Sequence, residues 1–154
     1  MTDLFQTTYD QLLTWCRDHD FAGHDPFDAL NSTVFQATPL ASSRNARFIW
    51  TQLLKRSPVD VRGLARVPVQ RNAKGIALFA LATLKRSEAD ARRLFSDLLD
   101  LRVQGYSGAA WGYNFDWQSR NFFAPRGTPT IVPTAFAARA FIENTDNHES
   151  LRIA

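Results

Sequence analysis

The chain has one cysteine, Cys16, and seven glycines among 154 residues. A lone cysteine makes no intramolecular disulfide, so the fold must be held by packing alone. Cys16 sits among apolar positions of helical spacing and reads as a small buried hydrophobe, not a nucleophile. No apolar run approaches the roughly 18 residues that span a bilayer, so no membrane span is expected. The start, Met1-Thr2-Asp3-Leu4, lacks the basic and apolar regions of a secretory leader. A cytoplasmic location is the resulting expectation.

Glycine is scarce outside residues 105 to 112, which excludes a phosphate-cradling loop or a dinucleotide fingerprint, and no cofactor is predicted. No Gly-x-Ser-x-Gly elbow occurs. His19 and His24, with Asp18, Asp20 and Asp25 around them, match no established ligand spacing, so no metal site is assigned. Cations are concentrated in the middle of the chain. Residues 55 to 102 carry eleven Lys or Arg against five acids, whereas residues 1 to 54 carry three against six. The basic stretch reads as a solvated helix face or as an attractor of phosphate or acidic polysaccharide. A stripe of cations interleaved with stacking aromatics is missing, so nucleic acid is not an expected partner.

What remains is a pattern of helices. The first runs from about Thr2 to Asp18, with Phe5, Tyr9, Leu12, Leu13 and Cys16 on one face. The second begins at Ser42 or Ser43 as cap, carries Ala46, Ile49, Trp50, Leu53 and Leu54, and stops at Pro58. Asn72 caps the third. Its run from Gly75 to Leu84 is apolar almost all round and predicts burial on most sides. Ser87, followed three residues later by Asp90, opens a fourth helix that is apolar on one side only. The third and fourth therefore form a hairpin with an inner and an outer member. A fifth helix opens near Pro133 and again reads as inner. Residues 1 to 143 form one domain in this reading, and the polar stretch 144 to 154 is expected to be a frayed tail. The fold class is all-α, and no strand pattern competes.

Two constellations carry chemistry. The segment 105 to 120, GYSGAAWGYNFDWQSR, fits neither helix nor strand periodicity. Trp111, Tyr113 and Trp117 offer flat apolar platforms, and Asn114, Gln118 and Arg120 can orient hydroxyls or a carboxylate. Asp116 is the segment's only carboxylate, hence its only candidate general acid or base. Alternatively the aromatics plug the end of a helical array and the polar groups satisfy loop backbone. The second constellation is His24-Asp25-Pro26-Phe27-Asp28. Asp25 and Asp28 lie three apart on one face, and paired carboxylates are what glycoside chemistry uses. The competing reading is a helix start, with Asp25 as cap and Pro26 in the first turn.

These two segments, together with Asn72-Ala73-Lys74-Gly75 and Gly127-Thr128-Pro129-Thr130-Ile131-Val132, resemble bacterial α/α-toroid proteins. Those proteins are related to six-hairpin glycosidases and terpenoid-cyclase-like toroids and are often encoded with surface-polysaccharide genes. The resemblance covers about residues 20 to 142. It implies helical hairpins arranged as part of a toroid and a carbohydrate-binding or carbohydrate-active role. The alternatives are a prenyl substrate, with Asp25 and Asp28 as the nearest match to an acidic motif, or an inert fragment or assembly module. A closed toroid needs about twelve helices, so the chain resembles the N-terminal portion only. Such a part-ring would expose inner-helix surface and associate with itself or a partner chain at its open edge.

Overall fold

The computed structural model describes residues 2 to 144, and the predicted frayed tail lies almost wholly outside them. The described chain is mostly helical. Helix α1 spans Thr2–Asp18, α2 Thr33–Gln36, α3 Arg44–Arg56, α4 Ala73–Thr83, α5 Glu88–Asp100 and α6 Ile131–Glu143. Two 3₁₀ turns, Asp28–Asn31 and Pro39–Ser42, flank α2. The expected caps are in place. Ser43, Asn72 and Ser87 accept from the amides of Ala46, Gly75 and Asp90, each meeting one of the orphan donors at a helix start.

The main core joins α1, α4, α5 and α6 around Ile76, Ala80, Leu94, Leu98, Trp111, Ala137 and Phe141. Helix α4 packs against both α5 and α6. Alanines at 73, 77, 80, 137 and 140 are all buried, and small side chains let helices approach closely. As predicted, α5 shows one buried edge, with Arg92 and Arg93 exposed. A second, smaller core holds Ala29, Leu54, Ala65 and Val67, with Trp50 and Val61 against it.

Three expectations are corrected. Helix α4 is not enclosed all round: Leu78 and Ala82 are exposed, and Leu81 is half-buried, because α5, α6 and the end of α1 cover only part of its surface. On α1 the buried edge is Leu13 and Cys16 with Tyr9 half-buried, while Phe5 and Leu12 face solvent. On α3, Leu54 and Thr51 are buried, but Ile49 and Leu53 are exposed. In each case the apolar arc is wider than the surface that covers it. Strand structure also exists: Trp117–Gln118 (β1), inside the segment that showed no periodicity, pairs antiparallel with Phe123–Ala124 (β2) just beyond it. Two-residue strands are too short to leave an alternating pattern. None of the described helices is long and apolar enough to cross a membrane.

Candidate functional site

Long-range hydrogen bonds bring three stretches together. Gly23 and Gln70 exchange backbone hydrogen bonds of 3.1 and 3.2 Å, which fixes the turn after α1 beside the entry to α4. The Asn31 amide, at the end of the first 3₁₀ turn, donates to Gln70 Oε1 at 3.1 Å and to the Asn114 carbonyl at 3.1 Å. Asn114 Nδ2 donates to the same Gln70 Oε1 at 3.0 Å. Gln70 Oε1 accepts both amides, and that fixes which way Asn114 points. Asn114 Oδ1 is therefore turned away from Gln70, and it is buried with no hydrogen-bond partner among the described residues. An acceptor left in that state costs about 1–3 kcal/mol, so it is a place where a donor would gain.

Asn114 also lines a small polar cavity. Asp25, Asp28, Asn31, Gln70, Asn72 and Asn114 line it, closed by Gly23, Pro68 and Phe115. The free space is about 10 Å³, room for one water or one hydroxyl. The two carboxylates have different tasks. Asp28 is almost wholly buried and accepts from His24 Nδ1 (3.2 Å), the Asp25 amide (3.0 Å) and Arg62 Nε (3.2 Å). It is an anchor. Asp25 accepts only the Phe27 amide, at 2.9 Å, in a turn that leads into the 3₁₀ helix. Burial pushes its carboxyl above the usual range. The Asp28 charge adds to that rise, while the Phe27 amide, Lys74 and Arg62 oppose it. The expected capping geometry is thus present in modified form: Asp28 reaches back to the Asp25 amide, and Asp25 caps its own turn.

Beside the cavity stands a group of aromatic rings. Tyr113 stacks on Phe115 at 4.9 Å and meets Trp117 edge-on at 6.0 Å. Trp117 also meets Phe27 at 6.1 Å and Phe122 at 5.0 Å. Tyr113 and Trp117 are half-buried, so part of each ring remains open. Burial raises the Tyr113 hydroxyl, and the Asp25 charge adds to the effect, which places this phenol within electrostatic range of the cavity. Comparisons with family models, with curated proteins and with solved structures give no match.

The residues singled out in the sequence separate into two groups. Asn114 meets Asp25 and Asp28 at this cavity, joining constellations more than eighty residues apart, while Tyr113 and Trp117 stand beside it through their ring contacts with Phe115 and Phe27. The others serve the fold. Trp111 is 1% exposed, donates its indole N–H to the Leu98 carbonyl at 2.7 Å and stacks on Phe141. Its rings are covered by protein, so it is no ligand platform. Gln118 is buried and ties Arg47 to the carbonyls of Ser119 and Phe122 across the β1–β2 turn. Asp116 accepts the Arg126 amide at 2.7 Å, staples the loop and does not line the Asp25 cavity. Arg120 is exposed, and its carbonyl, not its guanidinium, is engaged, by Arg44. Gly112 is required by close approach: a Cβ there would stand 2.3 Å from the Thr128 carbonyl oxygen. Asn31, Gln70 and Phe27 were not anticipated as site residues. Only their long-range pairing gives them a role, and spacing in the sequence carries no trace of it.

Proposed function

We propose that this chain is a carbohydrate-binding protein whose ligand seats one hydroxyl in the cavity beside Asp25 and lays a ring face against Tyr113 and Trp117. The observation that carries this reading is that Asn114, whose buried Oδ1 has no hydrogen-bond partner among the described residues, lines a hydroxyl-sized polar hole. A sugar hydroxyl would donate to Asn114 Oδ1 and accept from a neighbouring amide, which water-like polyols do and hydrocarbons do not. The half-open Tyr113 and Trp117 rings suit the apolar C–H faces of a pyranose. The Asp25 carboxylate would accept a second hydroxyl. A prenyl ligand gains nothing from a cavity this small and polar, and Asp28 is already engaged by three donors.

The fold supports the reading as a part-toroid. Helices α4 and α6 would be inner members and α5 an outer one. Ile131, Ala135 and Ile142 form an exposed apolar stripe on α6 where a further hairpin of the ring would pack. A glycan array followed by calorimetry tests the function. Wild type should bind at least one oligosaccharide class. Trp117→Ala should weaken binding by about 1–3 kcal/mol, the usual loss for one aromatic contact. Asn114→Ala should weaken it comparably by removing the acceptor. An array without hits, or full affinity in both variants, would overturn the proposal.

A further inference from the structure

Two helix faces are left uncovered, and they complement each other. On α1, Phe5, Leu12 and Trp15 recur with a spacing of seven and three residues, and Leu4 lies beside them; their exposures are 73, 58, 55 and 70%. That spacing is the seam by which a helix docks on another helix or into a groove. On α3, Ile49 and Leu53 are 56 and 60% exposed and line one wall of an apolar groove of about 840 Å³. Val34, Val61 and Leu64 close its other side.

Charge identifies the occupant. Helix α3 has no acid; its Arg44 and Arg47 are engaged by the Arg120 and Ala41 carbonyls and by Gln118, and Lys55 stands over the Phe27 ring, which leaves Arg56 as the cation that faces the groove. Arg56 is the one charged residue lining the groove, and it is exposed without an ion-pair partner among the described residues. On α1, Arg17 is already engaged by Asp90, and Asp18 has no ion-pair partner among the described residues. Asp18 follows Trp15 by three residues and so flanks the apolar seam. An apolar helix face bordered by acid thus stands on the same chain as an apolar groove bordered by base.

We propose that α1 of one copy docks in the α3 groove of a second copy. The contact joins unlike faces, so one copy offers the helix and the other the groove. Two such contacts related by a two-fold axis close a dimer; repeated in one direction they build a longer assembly. Burial of Phe5, Leu12 and Trp15 supplies the affinity, and the opposed charges set the orientation and the salt dependence. The inference does not depend on any ligand at the Asp25 cavity.

Sedimentation velocity across a range of protein and salt concentrations tests it. Wild type should associate, and added salt should weaken the association. Leu12→Lys puts a cation where the basic groove must meet it, and Leu53→Glu puts an anion where the acidic helix must. Both positions are exposed, so circular dichroism and melting should match wild type. Each variant alone should associate roughly tenfold or more weakly. An equimolar mixture should recover the complex, because one variant keeps its groove and the other keeps its helix. In a closed dimer the second contact then sets the introduced lysine against the introduced glutamate. Three results would overturn the proposal: a monomeric wild type at every concentration, association that survives in both variants and so uses another face such as α6, or a mixture that stays dissociated.

Discussion

Replacing Trp111 by Phe asks whether the aromatic segment is built for the core or for a ligand. The indole N–H donates to the Leu98 carbonyl at 2.7 Å. That carbonyl lies in the last turn of α5, where the Leu101 amide turns to Asp97 and the Arg102 amide to Leu99. The indole therefore meets an orphaned helix-end acceptor. Phenylalanine keeps the stacking on Phe141 but removes the donor, at about 1–3 kcal/mol for a buried carbonyl left unpaired. The smaller ring gives up roughly 1 kcal/mol of burial in addition. The expected loss is about 3 kcal/mol, which for a chain of this size lowers Tm by roughly 6–12 °C. Urea denaturation monitored by circular dichroism would read the free energy, and calorimetric melting the temperature. Affinity for any ligand of the Asp25 cavity should remain that of wild type below the transition. An unchanged Tm together with weakened ligand binding would refute the reasoning and return Trp111 to the site.

Burial also ranks two charge insertions on α4. Ile76→Asp, at a fully buried position, should cost more than about 3 kcal/mol, whereas Leu81→Asp, half-buried, should cost clearly less; equal losses in denaturant titration would contradict the described packing. Gly112→Ala forces a Cβ against the Thr128 carbonyl and should cost about 1–3 kcal/mol, while the same change at exposed Gly108, which has nothing within reach, should cost less than half of that; thermal melts of the pair decide it. For Asp25 the sign follows from its raised carboxyl pKa. The folded state holds its proton more tightly than the unfolded state, so this group's contribution to stability falls as pH rises from about 4 through the folded value. Asp25→Asn should therefore be more stable than wild type at neutral pH, with the gain vanishing below about pH 4; a variant less stable at neutral pH would contradict it.

The helices were legible because their signals are local. Ser43, Asn72 and Ser87 announce helix starts within three residues, and the periodicity of α5 sorts Leu94 and Leu98 from Arg92 and Arg93 without knowledge of the rest. Coverage was not legible. Phe5, Leu12, Ile49, Leu53 and Leu78 lie on apolar faces as broad as those that are buried, and only the arrangement of neighbours decides which part of an arc meets protein. The site was half legible for a related reason. Tyr113, Asn114 and Trp117 stood out by composition, and Asp25 by its pairing with Asp28. Trp111 and Gln118 stood out equally, yet one caps α5 and the other ties a two-residue hairpin. Residue type shows that a side chain can bind or pack; the Leu98 carbonyl and Arg47, far away in sequence, decide which it does. Gln70 carried no local signal at all, although it orients the Asn114 amide on which the cavity depends.

A hydroxyl-bearing ligand bound as proposed would touch Asp25, Asn114 and Trp117 and leave Trp111 untouched. Heteronuclear NMR of the labelled protein reads these groups in one titration, through the indole N–H signals of Trp111 and Trp117, two of the four tryptophans, and the side-chain amides of Asn31, Gln70 and Asn114. With an oligosaccharide selected on the array, the Trp117 indole and the Asn114 amide should shift together along one binding curve, and the Trp111 indole should stay in place. Shifts confined to Trp111, or to residues remote from the cavity, would contradict the account.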